Sequence, residues 1–493
     1  MSPELNAFRQ RIVDLAADQP HACALWGDDL KLDYAELNAE IRLRQQILRA
    51  SNAKVVAVFL ENGPDLLIWD LAILFEGLAC LALPPFFTAA QRLHCLAQSQ
   101  ADLVIAGADQ EDELEQSDFQ YRDGFWVRPV SEPSPLPAGT AKLTFTSGTT
   151  GTPKGVCLSA DSVLSVAREL HHASKSQQPR HHLSLLPLAI LLENIGCYAA
   201  LHAGATVSLP SQRALGIQGA SGVDLPRLLS TLKLRCPHSM ILVPQLLLLL
   251  VTACEIGAFD SGELRFVAVG GAKVSHELLL RAELAGIPVY EGYGLSECAS
   301  VVTLNRPGAH HPGSVGQPLP HVQIRLADDG EVLIAGSGML GYLADTEPVP
   351  QWWPSGDLGE LDANGYLYLH GRKKHQFVTS FGRNVNPEWV EAELTQRGCL
   401  SQAFVYGEAM AHNHALIWPL RPETTDLQIA DAVAQANQAL PDYARVHGWT
   451  RLAQPFSPDN GMATANGRPR RKAILAHYRH LFIEPTRAED LQS

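Results

Sequence analysis

The stretch LTFTSGTTGTPKG, Leu143 to Gly155, abandons bulky side chains after a short β-prone run and then supplies a single lysine. Thr146, Ser147, Gly148, Thr149, Thr150 and Gly151 offer backbone N–H groups and hydroxyls. Small side chains let such a chain approach anionic oxygens closely. Lys154 adds a point charge. This composition suits the cradling of a nucleotide triphosphate. It is not a Walker A loop, which ends in Gly-Lys-Ser/Thr; here Lys154 follows Pro153 and precedes Gly155. A flexible linker has a similar composition, but a flanking strand and a closing Pro-Lys-Gly are unusual in one.

TSGTTGTPKG resembles the phosphate loop of the adenylate-forming superfamily, which holds acyl-CoA synthetases, adenylation domains and luciferases. Further motifs of that family follow in its order, over roughly residues 30–475. YEGYGLSE (290–297) resembles its adenine and magnesium motif. The resemblance implies Tyr293 near the adenine and Glu297 on magnesium, whose charge offsets the triphosphate. It also places Glu291, Gly292, Gly294 and Ser296 around the nucleotide; Ser296 stands where Thr is usual and keeps the hydroxyl. VGGAKVSHELL (269–279) resembles the turn lining the adenine and acyl sites, with Gly271 and Ala272 as candidates. Asp357, in SGD, matches the position that binds the ribose hydroxyls, a task suited to a carboxylate acceptor. Arg372, in GRKK, matches the contact to ribose and phosphate. Lys374 matches the hinge about which a C-terminal domain turns, and TSFGRNVNPEWVE resembles the loop presented for thioester formation.

Two departures stand out. Where the family carries a catalytic lysine near its end, TANGRPRRKAIL has Gly467 followed by Arg468. Arginine keeps the charge and can grip a carboxylate or phosphate with two N–H groups. It is planar and longer, so the exchange is not neutral. Lys472 lies four residues on. In LLPLAILLENIG, Ile190 replaces the histidine of a long-chain motif, Glu193 matches a position often acidic in that branch, and Gln245 stands where arginine is common.

The elements that must position these residues alternate helix and strand. LDYAELNAEIRLRQQILRA has helical spacing, KVVAVFL reads as a buried strand, and DLLIWDLAILFEGLACLAL as helix then strand. ADLVIAG, GATVSLP and SMILVP continue the strands. From about Val322 short strands with Gly and Asp turns indicate a β-rich module. Helices are expected near 387–396 and 426–440, and a low-hydrophobicity tail from about Ser457. The fold class is α/β. The resemblance implies residues 1–373 as an N-terminal AMP-binding region of two α/β subdomains, with a β-barrel-like part at about 310–373. A small mobile α+β C-terminal domain takes 374–493.

Composition bounds the function. The net charge of −14 and pI near 5.7 argue against a basic nucleic-acid surface. The nine cysteines are scattered with no CxxC pair, which fits a reducing compartment better than a disulfide or zinc framework. The N-terminal residues show no signal-peptide core. The run MILVPQLLLLLVTAC, broken by Pro244 and Gln245, falls short of the roughly 20 residues a membrane span needs. A cytoplasmic protein is expected.

The resemblance implies an AMP-forming acid–thiol ligase using ATP and Mg2+. A carboxylate attacks the α-phosphate, and a thiol then displaces AMP. Arg468, Glu297 and Lys154 are the expected catalytic residues. The thiol belongs to coenzyme A or to the phosphopantetheine of an acyl carrier protein. The small-molecule substrate is read as a medium- or long-chain fatty acid or another apolar carboxylic acid. The leucines of the 240s fit an acyl site or simply core. A third reading, suggested by Arg468, is a nucleotide- or acyl-AMP-binding protein without turnover.

Overall fold

The structure, a computed structural model, describes residues 2–107, 110–115, 117–129, 136–146, 154–218, 222–464 and 467–481. The helical spacing after Leu32 becomes the helix Tyr34–Ser51, begun by a capping box in which Asp33 and Glu36 exchange hydrogen bonds. KVVAVFL becomes the strand Val55–Phe59, buried along its whole length. A parallel strand covered on both faces reads as a continuous apolar run. The helix Pro64–Glu76 follows, ended by Gly77 in the left-handed region, and then the strand Ala79–Ala82.

Two large sheets result. In one, Thr140–Thr146, Ala79–Ala82, Val55–Phe59 and Leu103–Ala106 run parallel in that order. In the other, His181–Leu183, Ser239–Leu242, Phe266–Val269 and Val289–Leu295 do the same. The helices Pro3–Asp18, Tyr34–Ser51, Pro64–Glu76, Ala160–Ser174 and Leu191–Ala203 share one apolar core with strands of both sheets. A buried polar cluster ties this layer together. Asp70 pairs with Lys142 and accepts from Tyr198 and, at 3.0 Å, from Asn194. Burial alone would raise the Asp70 carboxyl, but Lys142, Asn194 and Tyr198 outweigh it and hold it below the usual range.

Four antiparallel strands, Val322–Leu326, Glu331–Gly336, Trp353–Leu361 and Leu367–Arg372, form the β-rich part. Beyond Lys374 the helices Pro387–Thr395 and Asp426–Ala439 pack on a sheet of Leu400–Tyr406, Asn413–Pro419 and Val446–Arg451. The described residues between Ser457 and Leu481 are not the polar tail that low hydrophobicity suggests. Met462, Ala463 and Ile474 join Phe404, Leu416 and Phe456 in a second small core. These apolar residues are too sparse to show a period, yet each is buried.

The Leu-rich run divides into the strand Ser239–Leu242 and the helix Pro244–Glu255, with Pro244 in the first turn. Among the described residues no helix is long and apolar enough to cross a membrane. All nine cysteines are free thiols.

Candidate functional site

Strand Thr140–Thr146 pairs with Lys154–Ser159 so that Thr146 stands opposite Lys154. The Thr146 hydroxyl donates to the Lys154 carbonyl at 3.5 Å. These are the two ends of the Gly/Thr loop; Ser147, Gly148, Thr149, Thr150 and Gly151 lie outside the described residues. On the far edge, the strand Gly341–Tyr342 pairs Tyr342 with Val156. The Lys154 ammonium therefore lies over the Tyr342 ring, 5.1 Å from its centre, in cation–π range.

The Tyr342 hydroxyl donates to Glu297 Oε1 at 2.9 Å. Glu297 occupies the 3₁₀ turn Ser296–Cys298 at the end of strand Val289–Leu295. Burial first, and Glu297 second, push the Tyr342 phenol far above its ordinary value, so it stays a donor. Tyr342 thus joins Lys154 to Glu297. Sequence reasoning missed it, because a Gly-Tyr pair in a loop is too common to single out. The second oxygen of Glu297 makes no hydrogen bond with the described residues, and a half-buried carboxylate oxygen is a hard donor that suits magnesium.

The same strand carries Tyr293, whose hydroxyl donates to Asp357 Oδ2 at 2.7 Å. Asp357 and Arg372 are register partners across adjacent strands. Their pair closes at 2.9 Å, and Arg372 also donates to the Ser355 carbonyl at 2.9 Å. Burial raises the Asp357 carboxyl above its ordinary value, only partly offset by Arg372 and Tyr293. Burial and then Asp357 raise Tyr293 well above its own. Each carboxylate oxygen has a second lone pair left to accept a further hydroxyl.

Arg468 reaches this group from the other end of the chain. A one-bridge hairpin, Ala463 opposite Pro469, presents it, with the Arg468 N–H on the Thr464 hydroxyl at 3.0 Å. Its Nη2 donates to the Gly271 carbonyl at 3.2 Å. The side chain lines a cleft: its surface meets solvent, yet protein surrounds it on most sides. This desolvation lowers its proton affinity, as does Arg372, while Glu388 and Asp357 work the other way. Gly271 holds φ +81°, which licenses the exposed turn it shares with Ala272. Gln396 clamps that turn, accepting from the Ser275 N–H at 2.7 Å and donating to the Lys273 carbonyl at 2.8 Å.

The remaining predicted positions divide. Glu291 is buried, accepts the Gly313 N–H at 3.2 Å and is lifted by burial to about 7, against the pull of Lys273. Gly292 and Gly294 pack against strand Ser300–Leu304; a Cβ on Gly294 would fall 1.5 Å from the Ser300 carbonyl oxygen. Lys374 is exposed in the turn after Leu367–Arg372. Lys472 lies on the helix Arg471–His477. Ile190 precedes the helix Leu191–Ala203 and packs on the Leu-rich core, and Gln245 is exposed. Leu246, Leu247 and Leu250 are core; a cavity of about 10 Å³ lined by Leu246, Leu250, Leu228 and Leu232 holds at most one water.

The family model described as AMP-binding enzyme matches residues 13–343, and that of the AMP-binding enzyme C-terminal domain matches 374–484. The long-chain-fatty-acid–CoA ligase FadD15 of Mycobacterium bovis is 28% identical over 418 residues, covering 69% of this chain and 68% of its own length. The 2-succinylbenzoate–CoA ligase of Enterococcus faecalis is 27% identical over 463 residues, covering 87% and 91%. The solved anthranilate CoA ligase AuaEII, in complex with anthranoyl-AMP, superposes with a TM-score of 0.80 at 17% identity, covering 95% of this chain and 96% of its own. That likeness shows the fold, a large α/β N-terminal part with a smaller C-terminal one.

Proposed function

The chain belongs to the AMP-binding enzyme family, and from that premise we propose that it joins a carboxylic acid to a thiol through an acyl-adenylate. The observation that carries the proposal is the convergence of Asp357, Tyr293, Arg372 and Arg468, drawn from separated stretches, with Arg468 bonded to the Gly271 turn. Asp357 takes the ribose hydroxyls, Arg372 the ribose and a phosphate, and the Gly271–Ala272 turn the adenine edge. Tyr293, fixed through its hydroxyl, supplies an aromatic wall. Lys154 and the loop it closes hold the terminal phosphates. Glu297, oriented by Tyr342, holds Mg2+, which supplies charge neutralisation for the triphosphate when bound. Arg468 stabilises charge between the attacking carboxylate and the α-phosphate. The protein acts by positioning and electrostatics, with no covalent intermediate of its own.

The second half-reaction requires Arg468 to leave. We place the domain boundary at Lys374, as the break between the matched regions supports. The segment 379–384, with Phe381 exposed, turns in to receive the thiol. CoA is the proposed thiol, as for the named relatives, and a carrier-protein phosphopantetheine is the alternative. The apolar acid is drawn from the fatty-acid relatives and not from the leucines, which serve as core. Nine free thiols support the cytoplasm as the compartment.

The test is pyrophosphate and AMP release with ATP, Mg2+ and a panel of fatty, aromatic and short acids, with CoA or a phosphopantetheinyl carrier protein. Acyl-CoA formation with apolar acids is expected. Absence of pyrophosphate release with every acid refutes turnover and favours a nucleotide-binding protein.

A further inference from the structure

Away from the cleft, three side chains with metal-binding chemistry meet in the interior. His182 lies on the strand His181–Leu183, and Glu193 and Cys197 lie one turn apart on the helix Leu191–Ala203. One ligand atom of each lies within 4.8 Å of the other two. Their exposures are 4%, 0% and 0%, respectively. We propose that His182, Glu193 and Cys197 hold one zinc-class divalent cation that staples this strand to this helix.

The donor set selects the ion. Imidazole, carboxylate and thiolate suit Zn2+, whereas Ca2+ and Mg2+ prefer oxygen throughout. His182 Nε2 and Glu193 Oε1 stand 3.3 Å apart. Two ligands at about 2.0–2.1 Å on a tetrahedral ion are about 3.3 Å from each other. The partners behind them are those a ligand needs. His182 Nδ1 meets the Ser239 hydroxyl at 3.1 Å, and Glu193 Oε2 accepts the Leu186 N–H at 3.2 Å. These bonds turn Nε2 and Oε1 toward one another. Burial holds Cys197 as a thiol. On binding, the S–H bond breaks, the sulfur–metal bond forms with the sulfur's electron pair, and the proton passes to solvent. No redox change is involved. The ion's two positive charges then balance one carboxylate and one thiolate, so the interior holds no net charge. The fourth position falls to an oxygen donor such as water.

The cation would also fix the segment between strand and helix, residues 184–190, since Leu186 is bonded to a ligand. The competing arrangement is a plain His182–Glu193 hydrogen bond with a bystander thiol.

The site is closed, so the full chain is produced in medium supplemented with zinc or with cobalt and then desalted against a weak chelator. Close to about one metal per chain is expected, with a thiolate-to-cobalt charge-transfer band in the cobalt form. Both are expected to be lost in Cys197→Ser and in His182→Gln. Less than about a tenth of a metal per chain in the wild type overturns the proposal, as does a band undiminished in Cys197→Ser. Should the variants fail to fold, the wild type refolded with a strong chelator decides. Its melting temperature should fall and be restored by Zn2+ but not by Mg2+; no change on chelation overturns the staple.

Discussion

Glu291→Gln offers a prediction with a magnitude. Glu291 lies inside strand Val289–Leu295, 3% exposed, with the Gly313 N–H on its Oε2. Burial lifts its acid from 4.5 to about 7. A carboxyl raised on folding binds its proton more tightly in the folded chain. Its contribution is fully present below the unfolded value and is lost as pH rises through the folded one. The gap of about 2.5 units corresponds to about 3 kcal/mol, as an order of magnitude. By pH 5 only about 1 kcal/mol of this has been lost; by pH 8 nearly all of it has. Glutamine keeps the shape and an acceptor for Gly313 and cannot ionise. Urea denaturation without nucleotide, at matched ionic strength from pH 5 to 8, reads the difference. Relative to Glu291→Gln, the wild type should lose about 2 kcal/mol across that range. A variant that tracks the wild type at every pH, or is the weaker of the two at pH 8, refutes the reasoning. Lys273, and not burial, would then set the charge of Glu291.

Three further outcomes follow from the cleft. Arg468→Ala should slow pyrophosphate exchange about 100- to 1,000-fold while sparing thioester formation from supplied acyl-adenylate; equal losses in both half-reactions would assign Arg468 elsewhere. Tyr342→Phe removes one hydrogen bond to Glu297 and should raise the magnesium needed for half-maximal rate several-fold, about 1–2 kcal/mol. An unchanged magnesium dependence would remove Tyr342 from that role. Gly294→Ala sets a methyl 1.5 Å from the Ser300 carbonyl oxygen and should abolish soluble expression; a variant melting like the wild type would contradict this close approach of the two strands.

The parallel strands and their helices were legible because burial on both faces writes itself as unbroken apolar runs, as in Val55–Phe59. The 240s were half legible. Their strand and helix follow from length and Pro244, but whether leucines line a ligand or a core depends on what faces them. Here that is other leucines, among them Leu228 and Leu232 of the helix Leu225–Arg235. The cleft residues came from motif order, which gives identity without contact. Tyr342, Gln396 and Glu388 escaped because each is tied to a partner distant in sequence: Glu297, the Ser275 turn and Arg468. The buried His182–Glu193–Cys197 group escaped although its members are near in sequence, because only the packing of the strand carrying His182 on the helix carrying Glu193 and Cys197 brings them together.

An arginine at 468, where the motif resemblance leads one to expect a lysine, has a physical rationale in its surroundings. Arg468 shares one cleft with Arg372, which disfavours the charge of Arg468, with Asp357 and Glu388 as the opposing carboxylates. Burial alone would raise Glu388, but His375, Arg471 and Arg372 outweigh it and hold its carboxyl below the usual range. Two cations therefore face two acids before any substrate enters. A lysine in this setting would confine a strongly hydrated point charge beside Arg372. A guanidinium is more weakly hydrated and spreads its charge over a plane, so crowding costs it less. Among the described residues, the Arg468 side chain makes its one hydrogen bond to Gly271. Its other N–H donors are left for a phosphate or carboxylate oxygen, in a fixed fork that a rotating ammonium lacks. The substitution thus exchanges tolerance for geometry. Arg468→Lys should retain charge stabilisation but lose the two-point grip, raising KM for the acid more than it lowers kcat. A variant in which kcat falls and KM holds would mean that the two-point grip of Arg468 is made only in the transition state.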